Sequence, residues 1–191
     1  MGLIFENSHY FFNKYKNKIF FQDFNLQLNG KECSKLVDKI SSFIERQNIR
    51  IFAIRSNNSV CWPLWYIAAD KNSCRLLILN PETKLEIINE ILKNNNAQIL
   101  VDNPDIILSN NEIESYLQKL KYKNKLDFQR SDVLFTSGTM SLPKGVIVNS
   151  SAYLHVAKIL NARLGTNYND IELLSMPFYH SFGLTRLRCI L

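Results

Sequence analysis

Between residues 33 and 101 the apolar residues change period again and again, and that alternation limits the folds open to the chain more than any other feature. Cys33, Leu36, Val37, Ile40, Phe43 and Ile44 fall at spacings of three and four, a helix with one packed face, while Lys35, Asp38, Lys39 and Glu45 fall on its wet side. Ile51, Phe52, Ala53 and Ile54 then make a compact run of strand length, stopped by the polar cluster at 56–59. Residues 60–69 are apolar enough for a buried helix, with Pro63 in the first turn, where its missing N–H is no loss. The strand pattern returns at 75–79 and ends at Asn80-Pro81. Leu85, Ile88, Ile91 and Leu92 mark another helix, closed by asparagines at 94–96, and Ile99, Leu100 and Val101 a third strand. Strand, helix, strand, helix, strand is the order of an α/β chain with mainly parallel sheet layers, flanking helices and right-handed crossovers.

The flanks are less regular. Ile19, Phe20 and Phe21, then Phe24, Leu26 and Leu28, form two short β-like runs that end at the turn signal Asn29-Gly30. In 102–130, Ile113, Tyr116, Leu117 and Leu120 place one helix face, and 121–125 reads as an exposed link. Asn149 to Ser151 offer helix N-caps, Tyr153, Val156, Ala157, Leu160 and Leu164 mark a packed stripe, and Gly165 is a suitable C-cap. Residues 171–175 read as a further strand that delivers Met176, Pro177, Phe178, Tyr179, His180, Ser181, Phe182 and Gly183 at its end.

Composition narrows the function. With 46% hydrophobic and 21% charged residues in 191, this is an ordinary globular chain. A net charge of +6 invites a nucleic-acid partner. The basic residues are spread along the chain with acids between most of them, and the densest run, 119–125, has only Tyr122 for stacking, so no nucleic-acid partner is expected. Cys33, Cys61, Cys74 and Cys189 stand apart without C-x-x-C spacing, which leaves zinc and redox motifs unsupported and free thiols expected. No run has signal-peptide character or transmembrane length, and the chain reads as cytoplasmic.

Residues 133–148 carry the chemistry. Val133, Leu134 and Phe135 feed Thr136, Ser137, Gly138, Thr139, Met140 and Ser141. Leu142, Pro143, Lys144 and Gly145 follow, and Val146, Ile147 and Val148 restore a β-branched run. The order is strand, polar loop, strand. Gly138 and Gly145 can take positive φ and let the backbone turn its N–H groups inward, while the hydroxyls add donors. Pro143 stiffens the chain just before Lys144, which supplies a mobile positive charge. These features describe a phosphate cradle. It is not a Walker loop, because Lys144 precedes Gly145 and a β-like run follows, and it lacks the G-x-G-x-x-G of dinucleotide sites.

In this order the segment resembles the phosphate-loop signature of the adenylate-forming (AMP-binding) ligases: acyl- and aryl-CoA synthetases, luciferases and peptide-synthetase adenylation domains. Their pattern is T-S-G-T-T-G-x-P-K-G followed by an apolar residue. Met140 replaces the second threonine and Ser141 a glycine, so a hydroxyl facing phosphate is lost and a mobile flap is stiffened. In that family a P-x-x-H-x-x-G-like segment follows after a helix and a strand, and Pro177, His180 and Gly183 match it, while Ser150 stands where a histidine is frequent. His180 alone reads as a satisfied structural histidine or as a catalytic one. After the first motif, Phe178, His180 and Phe182 acquire a pocket-wall reading.

The resemblance implies an N-terminal portion of the adenylate-forming large domain, residues 1–191 being about its first third, with the rest and a C-terminal lid domain not included. It implies ATP bound by Thr136, Ser137, Gly138, Thr139, Lys144 and Gly145, with Lys144 and His180 in catalytic roles and Phe178, His180 and Gly183 at the substrate pocket. No metal ligand is expected here, the Mg²⁺ ligand being expected downstream. The implied partners are a carboxylic acid and, as acceptor, CoA or a carrier protein. These 191 residues by themselves are expected not to turn over. Two rival readings remain: a truncated or degenerate, non-catalytic remnant that binds nucleotide weakly or not at all, and an RNA-binding module with steeply salt-dependent affinity.

Overall fold

The computed structural model describes residues 2–109, 113, 117–120, 130–136 and 143–191. Its centre is a six-stranded mixed sheet. In chain order the strands are β1 (Ile19–Gln22), β2 (Gln27–Asn29), β3 (Ile51–Arg55), β4 (Arg75–Leu79), β5 (Ile99–Val101), β6 (Gln118–Lys119), β7 (Ser131–Thr136) and β8 (Lys144–Asn149). The helices are α1 (Leu3–Lys14), α2 (Gly30–Arg46), α3 (Trp62–Lys71), α4 (Leu85–Asn94), α5 (Ser150–Leu164) and α6 (Ser181–Ile190), with a 3-10 turn at Pro104–Leu108. The sheet order is β6-β5-β3-β4-β7-β8. The inner strands β5, β3, β4 and β7 are parallel, and β6 and β8 run antiparallel at the two edges. β1 and β2 form a separate antiparallel ribbon.

Strand alternation divides the sheet between two cores. Phe52, Ile54, Leu76, Ile78, Ile99 and Val101 face the larger core with α1, α2, α3 and α6, whereas Ile51, Ala53, Leu77, Leu79 and Leu100 face α4. α3 is buried from Trp62 to Asp70, so it has no polar stripe to present; Pro63 sits in its first turn. Trp65 donates its ring N–H to the Pro104 carbonyl at 2.9 Å, which satisfies the one polar atom of a fully enclosed indole. Three of the four cysteines are buried, and all are free thiols. Burial pushes the Cys33 and Cys74 thiols up to about 12, so neither is a nucleophile at neutral pH. No described helix is long and apolar enough to cross a membrane.

Several expectations change. α1 is a helix that the sequence reading leaves out; it packs through Ile4, Phe5, Ser8 and Phe12, a stripe diluted by exposed aromatics such as Tyr10. Asn29-Gly30 is less a turn than a helix start. Asn29 accepts from the Glu32 N–H at 3.0 Å and Glu32 accepts from the Asn29 N–H at 2.8 Å, a reciprocal capping box. Residues 171–175 are not a strand: among the described residues none pairs with them, and Ile171 and Leu173 are 97% and 89% exposed. β-favouring side chains without a neighbouring ladder form no sheet. In the stripe of α5, Tyr153 and Ala157 are buried but Val156 and Leu164 are exposed. The helix face expected over Ile113, Tyr116, Leu117 and Leu120 is not found at 117–120, where Gln118–Lys119 pair with β5 as the edge strand β6; Ile113 and Leu117 are buried, and Tyr116 and residues 121–125 lie outside the described residues.

Asn29→Ala removes the cap of α2 and is expected to lower unfolding free energy by about 1 kcal/mol, read from urea denaturation followed by circular dichroism.

Candidate functional site

The two strands of the signature form an antiparallel hairpin. Thr136 pairs with Lys144 and Phe135 with Gly145, so the first and last parts of the polar segment lie side by side at its mouth. The Thr136 hydroxyl donates to the Lys144 carbonyl at 3.4 Å. Thr136, Lys144 and Gly145 are exposed. Ser137, Gly138 and Thr139, with Met140, Ser141 and Leu142, lie outside the described residues. Gly145 does not use positive φ, since Gly165 is the one described glycine there. Its need is space: a Cβ at Gly145 would sit 2.9 Å from Val133 Cγ1 and 3.1 Å from Phe135 Cε1. A side chain at 145 would have to displace the Val133 and Phe135 side chains.

The second segment is held by a residue that sequence reasoning passes over. Asn58, in the polar cluster after β3, donates through Nδ2 to the carbonyls of Leu174 and Met176 at 3.2 and 2.9 Å, and its Oδ1 accepts from the Phe178 N–H at 2.8 Å. One amide side chain thus does for 174–178 what a neighbouring strand would do. Phe178 is buried and packs on Trp62 with ring centroids 5.1 Å apart, so its side chain belongs to the core instead of an open pocket. His180 is exposed at the N-cap of α6, does not cap that helix with its side chain, and lies against Tyr179 at 4.6 Å between centroids. Gly183 is buried where a Cβ would strike the Pro177 carbonyl oxygen. A concavity beside this segment is lined by Leu173, Met176, Phe182, Gly183 and the pair Glu172 and Arg186. Arg186 donates to both Glu172 oxygens at 2.6 Å. Of the expected pocket residues, Gly183 reaches this wall, and Phe178 and His180 do not.

Behind the hairpin lies a buried polar cluster with no counterpart in the sequence reading. Alternation along β7 turns Asp132 and Leu134 towards the larger core and Val133 and Phe135 away from it. Asp132 is fully buried. Its Oδ2 accepts from the Tyr66 hydroxyl at 2.6 Å and from Arg188 Nη2 at 2.6 Å, and its Oδ1 accepts from Arg130 Nη1. Arg188 Nε donates to the Tyr66 hydroxyl at 2.9 Å, and the Arg188 guanidinium lies 4.2 Å over the Tyr153 ring. Asp70 accepts from the Phe5 N–H at 3.1 Å and forms a 3.6 Å ion pair with Arg130. Burial opposes the charge on both arginines, but Asp132 beside Arg130, and Tyr66 with Asp132 beside Arg188, outweigh it and hold both guanidiniums charged. The signal in the sequence is Asp132 itself, a carboxylate next to the apolar run Val133 to Phe135, with Arg130 two residues before it; Tyr66 and Arg188 come from elements too distant in sequence to be read.

Burial also raises both tyrosines, Tyr66 well above its ordinary value and Tyr153 to about 12. A raised folded-state value is stabilising below the unfolded value, near 10, and that stability is lost as pH climbs through the folded value. Denaturation midpoints are therefore expected to fall between about pH 10 and 12. Among the described residues the Tyr153 hydroxyl has no hydrogen-bond partner. Tyr153→Phe is expected to leave stability at pH 7 within about 0.5 kcal/mol and to flatten the alkaline fall. Phe178→Ala is expected to cost about 3 kcal/mol or more in denaturant unfolding, whereas Phe182→Ala, at a 63% exposed site, is expected to change it by less than about 0.5 kcal/mol.

A family model described as AMP-binding enzyme matches residues 9–191. Among curated proteins the chain is similar to the 2-succinylbenzoate–CoA ligase of Haemophilus influenzae, with 25% identity over 155 residues, 80% of this chain and 33% of that protein. Among solved structures it is similar to the O-succinylbenzoate coenzyme A synthetase MenE of Bacillus subtilis in complex with AMP: TM-score 0.75, 16% identity, 99% of this chain and 53% of that one. It is also similar to the N-terminal subdomain of Klebsiella oxytoca NpsA in complex with 3-hydroxyanthranilyl-AMSN: TM-score 0.74, 15% identity, 99% of this chain and 50% of that one. At such identities these structures speak for the fold, the α/β arrangement described above. The chain spans about a third of the curated relative's length and about half of these solved chains.

Proposed function

This chain belongs to the AMP-binding enzyme family, and on that premise we propose that it is the N-terminal part, residues 1–191, of an adenylation domain that activates a carboxylic acid with ATP. A carboxylate oxygen attacks the α-phosphorus and pyrophosphate leaves, giving an acyl-adenylate. A thiol of CoA or of a carrier protein's pantetheine then attacks the acyl carbon and AMP departs. The carboxylate is ionised at neutral pH, so no general base is needed for the first step. Most of the rate comes from holding the reactants in line and offsetting charge on the phosphates.

The observation that carries this reading is the pairing of Thr136 with Lys144 at the mouth of the hairpin. It joins the two ends of a hydroxyl- and glycine-bearing segment and puts a hydroxyl and the lysine-bearing strand beside one another. In the proposed role Thr136, Ser137, Gly138, Thr139 and Gly145 cradle the β- and γ-phosphates, and Lys144 offsets their charge. The segment ending at His180 and Gly183 sits by the acyl group. The net charge of +6 favours an anionic ligand. Among the described residues no group of three or more potential metal ligands gathers.

Met140 and Ser141, which depart from the family's loop, favour the second reading, a non-catalytic remnant with at most weak nucleotide binding. Carboxylate-dependent ATP–pyrophosphate exchange, run over a panel of acids with the protein that carries these residues, separates the two. Lys144→Ala is expected to slow exchange at least about tenfold, with the fold kept because Lys144 is exposed. A variant as fast as wild type contradicts the phosphate-cradle role, and no exchange on any acid, with ATP bound weakly or not at all, favours the second reading.

A further inference from the structure

Asp132 and Arg188 are 56 residues apart in the chain, yet they are one hydrogen-bonded pair, and each belongs to a different half of the site. Asp132 lies in β7, the strand that leads into Thr136. Arg188 lies in α6, the helix that starts after His180 and contains Gly183. Both are buried. Tyr66 closes the pair into a triangle, since its hydroxyl donates to Asp132 and accepts from Arg188. Arg188 also stacks on Tyr153 of α5, the helix that continues directly from β8. Both arms of the hairpin are therefore attached to one guanidinium, β7 through the Asp132 carboxylate and β8 through α5.

A planar guanidinium bound along its Nε–Nη2 edge and covered on one face by an aromatic ring restrains angle as well as distance, which a lysine or an apolar side chain of similar volume does not. We propose that Arg188 is a positioning residue: with Asp132 it sets the phosphate-loop hairpin β7–β8 at a fixed register against α6, so that Thr136 and Lys144 on one side and His180 and Gly183 on the other face one reaction. What that register serves rests on the adenylation reading; the mechanical coupling itself does not.

A purely packing role and a positioning role diverge once buried charge is removed without leaving a charge unpaired. Asp132→Leu combined with Arg188→Met takes out the pair together, a change that buried ion pairs can tolerate. Arg188→Lys keeps the charge and loses the fork, and serves if the double variant does not fold. The primary readout is amide hydrogen exchange in the protein that carries these residues. Positioning predicts exchange at least about tenfold faster in β7 and β8, with β3 unchanged. It also predicts a raised KM for ATP with kcat less affected in ATP–pyrophosphate exchange, and Arg188→Lys between wild type and the double variant. Wild-type hairpin exchange in variants that fold overturns the coupling, whatever their activity. A wild-type protein without ATP–pyrophosphate exchange counts against the adenylation reading instead, and the amide readout still decides whether Arg188 holds the hairpin.

Discussion

A carboxylate with no access to water has to be matched inside the protein, and Asp132, on the strand next to the β8 edge of the sheet, is such a group. Its match is drawn from three places, Arg130 ahead of the same strand, Tyr66 on α3 and Arg188 on α6, while Asp70, also on α3, shares Arg130 through an ion pair. Two carboxylates and two guanidiniums leave the cluster formally neutral, and the tyrosine hydroxyl bonds to both Asp132 and Arg188, which are themselves directly paired. Desolvation makes each of these groups expensive alone. Stripping one partner from such a set leaves a buried unpaired charge and costs about 3–5 kcal/mol. That penalty, more than any net gain from the pairs, forces α1, α3, β7 and α6 into one arrangement.

The consequence reaches the surface through the hairpin. β7 is anchored at Asp132 and exposed by Thr136, so the rigid and reactive ends of the strand are a few residues apart. β8 has little burial of its own and leans on β7 through a regular antiparallel ladder and on Gly145, whose missing side chain lets Val133 and Phe135 come close. The second segment is fixed by different means. It has no sheet partner among the described residues, and Asn58 supplies the hydrogen bonds that a partner would have given. Both parts of the candidate site therefore borrow their shape from residues that would touch no substrate.

Legibility from sequence follows the range of the interactions. The helix over 30–46, the buried helix at 62–71, the strands at 51–55, 75–79 and 99–101 and the hairpin strands were readable because each is announced by local periodicity or by Pro and Gly. Gly165 at the end of α5 is of the same kind, in a left-handed conformation at φ 64°. The expected strand at 171–175 was not decided locally, because a strand exists only where another offers a ladder. Phe178 looked like a pocket residue for its neighbours in the motif, and Trp62, well over a hundred positions away, takes it into the core. The buried cluster and the Asn58 clamp were invisible for the same reason. A charged or amide side chain in a sequence does not say which distant backbone or guanidinium will satisfy it.

The phosphate grip at the mouth of the hairpin can be watched directly by amide chemical-shift mapping of the isotope-labelled protein titrated with Mg·ATP. Saturable shifts concentrated at Thr136, Lys144, Gly145 and the residues between them are the expected result. Shifts absent from that segment, or confined to another face while ATP still binds, would contradict a nucleotide-phosphate site there.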